Sequence, residues 1–249
     1  MKDIPLLTEK HIRQLAQSLQ RLAQAKYRKT GFPLVTLKFA QTLDGKIATA
    51  AGDSKWISGP SSLRFAHKLR NLHDAVLVGV ETIIRDDPRL TVRLVKGTNP
   101  RRIIVDGRLR IPLGSNVLKG RSQSSTIIAT TSLSDRRKAN RVISAGAEVC
   151  CIRKDRADHV DLQHLLSQLG KTDIRSILVE GGSRVLTSFL KRRLADYLVV
   201  IIAAKIVGKG TNSVRPTASR RLENLISMPS LRYFWSGDDV ILTANVDKP

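Results

Sequence analysis

The amino-acid sequence predicts an α/β fold with a mostly parallel central sheet and antiparallel strands near the C-terminus. Three observations support this prediction. Short β-branched runs alternate with stretches of helical periodicity from residue 34 onwards, the last strand-like runs flank a tight turn, and 41% of the 249 residues are hydrophobic. Because that length and apolar fraction are enough for a packed core, the sequence excludes wholesale disorder.

The N-terminal segment, residues 8–28, has the periodicity of an amphipathic helix. Its apolar positions recur at helical spacing: Ile12, Leu15, Leu19, Leu22 and Ala23. Thr8 can cap the start, and Gly31 and Pro33 end the helix. We expect the apolar stripe to dock on the rest of the chain or on a second subunit, with a membrane surface as the less favoured alternative. The simplest organisation is a helical extension over residues 1–32 and one domain over residues 33–249.

The body of the chain supplies the sheet and its covering helices. The predicted strands cover residues 34–40, 75–79, 102–105, 126–129, 148–152, 174–179 and 197–203. The predicted helices cover residues 61–71, 134–144, 162–169 and 183–192. Since strands and helices alternate, we expect the sheet to be largely parallel and buried. The runs 231–235 and 240–244 surround the turn Ser236-Gly237-Asp238-Asp239 and predict an antiparallel hairpin at one edge.

The charge of the chain favours anionic partners. It has 43 Lys and Arg residues against 21 Asp and Glu, a formal net charge of +22. Nucleic acid, an acidic membrane and phosphorylated small molecules are all compatible with that charge. The basic residues are spread along the chain, and aromatic residues, which would stack on bases, make up only 4%. We therefore expect a small phosphorylated ligand rather than nucleic acid.

Two further features bear on the compartment. No apolar run approaches the length of a membrane span, and the first residues lack the apolar region of a secretory signal. Cys150 and Cys151 are adjacent and cannot build a disulfide framework. We therefore expect a cytoplasmic protein without membrane association.

Polar and glycine residues cluster where two predicted strands end. Gly79 and Thr82 follow one strand, and Gly181 and Gly182 follow another. Ligands of open parallel sheets lie at the carboxyl ends of strands, where backbone N–H groups and a hydroxyl can bind phosphate oxygens. Because glycine has no Cβ, a pyrophosphate can approach its main chain closely. A tight strand-to-helix turn is the alternative interpretation of the glycine pair.

Several functional classes have no support in the sequence. The patterns G-x-G-x-x-G, G-x-x-x-x-G-K-[ST] and G-x-S-x-G are absent, which argues against the usual Rossmann, P-loop and serine-hydrolase sites. The five histidines show no metal-ligand spacing with cysteine, so we expect no metal site. Cys150-Cys151 lies in an apolar run and is expected in a core strand. Taken alone, Asp86-Asp87-Pro88 can be a turn whose pre-proline residue is extended.

Several motifs, in order, resemble the pyrimidine reductase domain of riboflavin biosynthesis. They are Leu43-Asp44-Gly45-Lys46-Ile47-Ala48, Gly52-Asp53-Ser54-Lys55-Trp56-Ile57-Ser58, His67-Lys68-Leu69-Arg70, Asp74-Ala75-Val76-Leu77-Val78-Gly79, Thr82, Asp86-Asp87-Pro88-Arg89-Leu90-Thr91-Val92-Arg93, Glu180-Gly181-Gly182 and Ile206-Val207-Gly208-Lys209-Gly210. The resemblance covers about residues 33–245, and ordered motifs are more specific than any single one. It implies a dihydrofolate-reductase-like fold with helices on both faces of the sheet, and a homodimer.

The resemblance also implies a function. Members of this family reduce a ribosylaminopyrimidine 5′-phosphate to its ribitylamino product with NADPH. The positions implied as cofactor contacts are Ala40, Trp56, Gly79, Thr82, Asp86, Gly181 and Gly182. The positions implied as substrate contacts are Ser54, Arg70, Leu90, Arg93 and Glu180. Two of these, Arg70 and Arg93, suit bidentate pairing with the substrate phosphate.

Reduction also needs a proton donor, and Asp44 and Glu180 are the candidates. The expected acceptor is C1′ of the ribose, reached as an imine after ring opening. The substrate can be the deaminated pyrimidinedione or the diamino form. The deaminase motifs H-x-E and P-C-x-x-C are absent and residues 1–32 are too short for that domain, so we expect a stand-alone reductase or a paralogue. The alternatives are a related reductase of another pyrimidine- or pteridine-like substrate, or a non-catalytic basic binding module.

Overall fold

The computed structural model describes residues 4–53, 57–119, 124–215 and 226–247. These residues form two compact units. Unit 1 takes its residues from 1–22, 34–66 and 179–249, and unit 2 from 23–33 and 67–178. Ser54 and Trp56, two of the expected ligand contacts, lie outside the described residues.

The described part of the chain contains six α-helices and one short 3₁₀ helix. The helices are α1 (Glu9–Thr30), α2 (Pro60–Asn71), α3 (Val80–Asp86), α4 (Arg136–Ser144), α5 (Leu162–Gly170) and α6 (Ser183–Lys191), and the 3₁₀ helix η1 is Asn116–Leu118. None of these helices is long and apolar enough to cross a membrane.

Eleven strands are present in the same described residues. They are β1 (Leu34–Thr42), β2 (Lys46–Thr49), β3 (Ala75–Gly79), β4 (Arg101–Val105), β5 (Thr126–Thr130), β6 (Glu148–Cys151), β7 (Ser176–Val179), β8 (Tyr197–Ala203), β9 (Gly210–Asn212), β10 (Arg232–Ser236) and β11 (Asp239–Asn245). All seven strands predicted before the hairpin are confirmed, with ends that differ by at most two residues.

Unit 1 combines parallel and antiparallel pairing. Strands β1 and β8 are parallel, β11 runs antiparallel to β8, and β10 closes an antiparallel hairpin with β11. The predicted C-terminal hairpin is therefore confirmed, with β10 as its outer strand. Strands β2 and β9 form a separate antiparallel pair. At the start of this parallel pair the Asp196 carboxylate accepts the Val35 N–H at 2.8 Å, which joins the residue before β8 to β1.

Unit 2 contains the buried parallel strands. In the order β3-β4-β5-β6 each neighbouring pair is parallel, and every residue of β3 and β5 is buried. Aliphatic side chains from these strands pack with Leu90, Leu109 and Ile111 from the connecting segments. The α/β class and the mostly parallel sheet predicted from the sequence are thus confirmed.

Helix α1 contacts the C-terminal hairpin of its own chain. Within unit 1 the His11 ring lies 4.8 Å from the Phe234 ring, and the Leu7 N–H donates to the Trp235 carbonyl. At the start of the helix the Thr8 hydroxyl accepts the His11 N–H at 3.5 Å, as the predicted cap requires. The start of α1 therefore has a partner within the chain, and Leu19 of the apolar stripe is buried, whereas the domain boundary at residue 32 stays a prediction.

One expectation about local structure was wrong, and one helix was not predicted. Cys150 is half-buried and Cys151 is exposed, because β6 is the last strand of its sheet and has a neighbour on one side only. Helix α3 was not predicted, because Thr82, Ile83 and Ile84 are β-branched and have low intrinsic helix propensity. The helix forms nevertheless, since helical geometry turns Val80 and Ile83 into the core.

We predict that Gly170→Ala destabilises the protein. In unit 2 a Cβ on Gly170, at the end of α5, would overlap the backbone carbonyl oxygen of Gly31. Because the neighbour is main chain, the substitution is expected to lower the free energy of unfolding by about 1–3 kcal/mol. Gly114→Ala is the matched control, because a Cβ there has no atom within 4 Å. Equal thermal unfolding midpoints for the two variants would contradict this close approach.

Candidate functional site

The first cluster of expected site residues lies in unit 1, where β1 ends. Asp44 follows this strand in a turn and accepts three hydrogen bonds. Its Oδ1 accepts the Thr42 hydroxyl at 2.5 Å and the Val207 N–H at 3.2 Å, and its Oδ2 accepts the Gly208 N–H at 2.7 Å. The carboxylate therefore joins the turn after β1 to the glycine loop that precedes β9.

These contacts lower the pKa of Asp44 from its ordinary value of 3.8 to about 2. The Thr42 hydroxyl is the main cause and outweighs the opposing effect of burial, and the Gly208 and Val207 amides lower the pKa further. Asp44 is thus ionised at neutral pH with its oxygens occupied as acceptors. This environment suits a residue that holds the loop, whereas the catalytic role expected of Asp44 stays a prediction.

The second cluster lies where β7 leads into α6. All four residues of β7 are buried, and Glu180, Gly181 and Gly182 follow it directly as half-buried residues. A Cβ on Gly181 would lie 2.7 Å from the Cβ of Val185, so the first turn of α6 leaves no room for a side chain there. Gly182 is the N-terminal cap of α6 and has an extended backbone.

The start of α6 has the donors that a phosphate group requires. The first N–H groups of a helix have no partner within the helix, and the helix dipole favours a negative charge there. Ser183, the first residue of α6, is only 5% exposed, and its hydroxyl has no hydrogen-bond partner among the described residues. A buried hydroxyl without a partner is costly, so a bound acceptor would stabilise this position. The chemistry of this turn therefore fits the pyrophosphate of a dinucleotide.

In unit 2 the expected cofactor contacts lie on β3 and α3. Gly79 ends β3 and caps the N-terminus of α3. It is buried. Thr82 and Asp86 lie four residues apart on α3, so both side chains belong to the same face of the helix. The structure thus brings these two expected contacts together.

The expected substrate contacts of unit 2 also lie together. Arg70 on α2 donates from Nη1 to the Thr91 carbonyl at 3.0 Å, and the Arg93 N–H donates to His67 Nδ1 at 3.1 Å. Leu90 is 2% exposed and has a left-handed backbone with φ of 54°. Its side chain belongs to the core, so only its main chain is available to a ligand.

The segment Asp86-Asp87-Pro88 also differs from expectation. Asp87, the residue before proline, was expected to be extended, but its φ is 38° and its ψ is 52°, in the left-handed region. This conformation persists because the Asp87 N–H caps α3 at the Ile83 carbonyl and because the Asp87 carboxylate accepts hydrogen bonds from Asn116. The segment is therefore a helix C-cap rather than a simple turn.

The remaining expected contact, Ala40, is a half-buried residue of β1 and pairs with Ile201 of β8. Three residues beside the expected site residues were not predicted: Ser183, His67 and Asn116. Ser183 follows the glycine pair directly and His67 belongs to the same short motif as Arg70, so both carry a local signal in the sequence. Asn116 has no such signal, because it meets Asp87 only through the fold.

Comparison with known proteins identifies the family. The RibD C-terminal domain family matches residues 33–232 of the chain. The chain is 40% identical to the riboflavin biosynthesis protein RibD of Aquifex aeolicus, over 84% of this chain and 57% of that protein. It therefore spans less than two thirds of the length of this relative.

Two further matches cover most of the chain. One is the 2,5-diamino-6-ribosylamino-4(3H)-pyrimidinone 5′-phosphate reductase of Methanothermobacter thermautotrophicus, 36% identical over 86% of this chain and 98% of that protein. The other is the structure of a diaminohydroxyphosphoribosylaminopyrimidine deaminase/5-amino-6-(5-phosphoribosylamino)uracil reductase from Thermotoga maritima. It is 31% identical, has a TM-score of 0.71 and covers 93% of this chain and 62% of that one. The protein therefore belongs to the RibD C-terminal domain family.

Proposed function

We propose that this protein catalyses the NADPH-dependent reduction of a ribosylaminopyrimidine 5′-phosphate to its ribitylamino product in riboflavin biosynthesis. The observation that carries the proposal is the match to the Methanothermobacter thermautotrophicus reductase, which extends over 98% of that protein. That relative is named as a reductase of a ribosylaminopyrimidinone phosphate. The polar clusters of both units and the basic charge of the chain also suit phosphorylated ligands.

For the cofactor, we assign NADPH to the residues that the family resemblance implies. They are Ala40, Trp56, Gly79, Thr82, Asp86, Gly181 and Gly182, to which the structure adds Ser183 as a hydrogen-bond donor. When bound, NADPH supplies a hydride. In this assignment the start of α6 binds phosphate oxygens, while Thr82 and Asp86 bind polar groups of the cofactor from one face of α3.

For the substrate, we assign Ser54, Arg70, Leu90, Arg93 and Glu180. The guanidinium groups of Arg70 and Arg93 neutralise the 5′-phosphate in this assignment, because arginine suits bidentate contact with phosphate oxygens. Arg70 also donates from Nη1 to the Thr91 carbonyl. Leu90 contributes main-chain atoms, because its side chain is in the core. Binding the phosphate fixes the position of the ribose relative to the other side chains.

Glu180 is the proton donor that we propose. Reduction of an imine at C1′ leaves an electron pair on the attached nitrogen, which must take up one proton to give the ribitylamine. Glu180 directly follows a buried strand and is half-buried, whereas Asp44 is ionised and holds backbone N–H groups. Asp44 then acts indirectly, by keeping the glycine loop in place.

We further propose that the protein is a cytoplasmic homodimer, and that residues 33–249 form the reductase domain with residues 1–32 as a helical extension. The homodimer follows from the family resemblance. The cytoplasmic location follows from the adjacent cysteines and from a phosphorylated metabolite as substrate.

The direct test is NADPH oxidation by the purified protein with each ribosylaminopyrimidine phosphate offered separately. We expect oxidation with the diamino form, the deaminated form or both, and the ratio of the two kcat/KM values identifies the substrate. Oxidation only with another pyrimidine or pteridine would support the related-reductase alternative. Absence of NADPH binding, together with nucleic-acid binding that weakens steeply with salt, would support the binding-module alternative.

We predict that Arg93→Ala raises the KM for the pyrimidine phosphate about 10- to 100-fold, because it removes a charge-assisted partner of the phosphate. The KM for NADPH is expected to stay unchanged. Arg89→Ala is the matched control, since Arg89 is an exposed arginine of the same segment with no predicted ligand. A normal pyrimidine KM in Arg93→Ala would show that the phosphate binds elsewhere.

We also predict different effects for the two candidate carboxylates. Glu180→Gln is expected to lower kcat about 100-fold and to remove the decline of activity at high pH, because the donor must be protonated to act. Asp44→Asn is expected to leave the shape of the pH–rate profile unchanged. Loss of that decline in Asp44→Asn, with a normal profile in Glu180→Gln, would reverse the assignment.

We predict that Asp44→Asn also changes how the free energy of unfolding depends on pH in acidic solution. Because the folded-state pKa of Asp44 is lowered, its stabilising effect is fully present above its ordinary pKa of 3.8 and is lost as the pH falls towards 2. Asp44→Asn should therefore narrow the stability difference between neutral and acidic solution, as measured by denaturant unfolding at each pH. An identical acid dependence in the wild type and the variant would contradict the hydrogen-bonded role of this carboxylate.

A further inference from the structure

One segment of unit 2 carries expected contacts for both ligands. Asp86, assigned to the cofactor, and Arg93, assigned to the substrate phosphate, are seven residues apart and both are solvent-exposed. Between them Asp87 and Leu90 have left-handed backbones, which cost energy for residues other than glycine. The surrounding structure must therefore hold this segment, here called the 86–93 segment, in its conformation.

At the cofactor end the segment is held by Asn116 of η1. The Asn116 backbone N–H donates to Asp87 Oδ1 at 2.7 Å. The Asn116 side-chain Nδ2 donates to both Asp87 Oδ2 and the Asp87 carbonyl oxygen, each at 2.9 Å. These three bonds fix the residue next to Asp86, and they offset the strain of a left-handed residue before proline.

At the substrate end the segment is held from α2 and from Asn99. The Arg93 N–H donates to Nδ1 of His67, a residue that is only 1% exposed, and the Val92 N–H donates to Asn99 Oδ1 at 2.7 Å. Arg70 lies one helical turn after His67 and donates to the Thr91 carbonyl. Three consecutive residues at this end are therefore fixed through their main chain.

The middle of the segment separates the two ends. The Leu90 side chain is buried in the core of unit 2, and the ring of Pro88 restricts the backbone beside Asp87. Moving Leu90 would disrupt close packing, so Leu90 anchors the middle of the segment between its two ends.

We propose that Asn116 and His67 are positioning residues that set the affinities for the two ligands separately. Asn116 acts on the cofactor through Asp86 and Asp87, and His67 acts on the substrate phosphate through the backbone of Arg93. This inference rests on the proposed function, because it takes the two ligands from there. Neither residue is required to touch a ligand.

The test compares NADPH dissociation constants, from fluorescence titration, with pyrimidine phosphate KM values for wild type and variants. His67→Leu is expected to raise the pyrimidine KM about tenfold without changing the NADPH Kd, because the Arg93 N–H loses its acceptor. His67→Asn keeps an acceptor near the Nδ1 position and is expected to restore most of the affinity. Asn116→Ala is expected to raise the NADPH Kd about fivefold without changing the pyrimidine KM.

Two further variants make the test specific. His164→Leu is the matched control, because His164 Nδ1 accepts the Arg153 N–H at 3.0 Å in the same way, far along the chain from the 86–93 segment. It is expected to change neither constant. Should the buried His67→Leu protein fail to fold, Asn99→Ala tests the same end of the segment and is expected to raise the pyrimidine KM alone.

If the NADPH Kd and the pyrimidine KM changed together in every variant, the inference would be overturned, because the two ends of the segment would then not act separately. Unchanged constants in Asn116→Ala and in the variants at the substrate end would overturn it as well. Both results presuppose a wild-type protein that binds NADPH and reduces the pyrimidine phosphate. A wild-type protein that neither binds NADPH nor reduces the pyrimidine phosphate would overturn the proposed function and this inference together. Failure of the inference alone leaves the wild type active, so the two failures are distinguishable.

Discussion

Complete burial of the parallel strands β3, β5 and β7 is the constraint on which the rest of this structure depends. No residue of β3, β5 or β7 is exposed, so these strands cannot carry a polar group that must meet solvent or ligand. Polar groups that contact solvent or a ligand are therefore expected in the segments that follow these strands. The clearest examples of such segments are the glycine pair after β7 and the helix after β3. Their apolar strands provide stability, while the short segments that follow them provide hydrogen-bond donors.

The few acidic residues of this basic chain serve largely as acceptors for the main chain. Asp44 accepts amides from the glycine loop, Asp74 accepts the Arg175 and Ser176 amides, and Asp196 accepts the Val35 amide. An ionised carboxylate is the strongest acceptor that a side chain offers, so each of these contacts fastens two distant segments. The net charge of +22 thus coexists with an internal framework of carboxylates.

The same framework shows what the fold adds to the sequence at Asp44 and Asp87. Asp44 stands in a motif next to a strand end and therefore resembles a catalytic acid. Only the fold shows that Val207 and Gly208, more than 160 residues later, occupy its oxygens. Asp87 resembles a turn residue before proline, but Asn116 stabilises a left-handed backbone there. In both cases the deciding contact comes from a distant part of the chain, which local patterns do not report.

The sequence alone determined the α/β class, most strands, the C-terminal hairpin and the family, because hydrophobic periodicity and ordered motifs are local properties. It also indicated that Gly181, Gly182, Thr82 and Asp86 lie next to strand ends. Only the tertiary structure decided that α3 is helical, that Cys151 is exposed on an edge strand, and that Leu90 points its side chain into the core. Each of these outcomes depends on which surfaces pack together, and packing is a property of segments that meet in space. The free energy of burying Val80 and Ile83, for example, outweighs the low helix propensity of their neighbours.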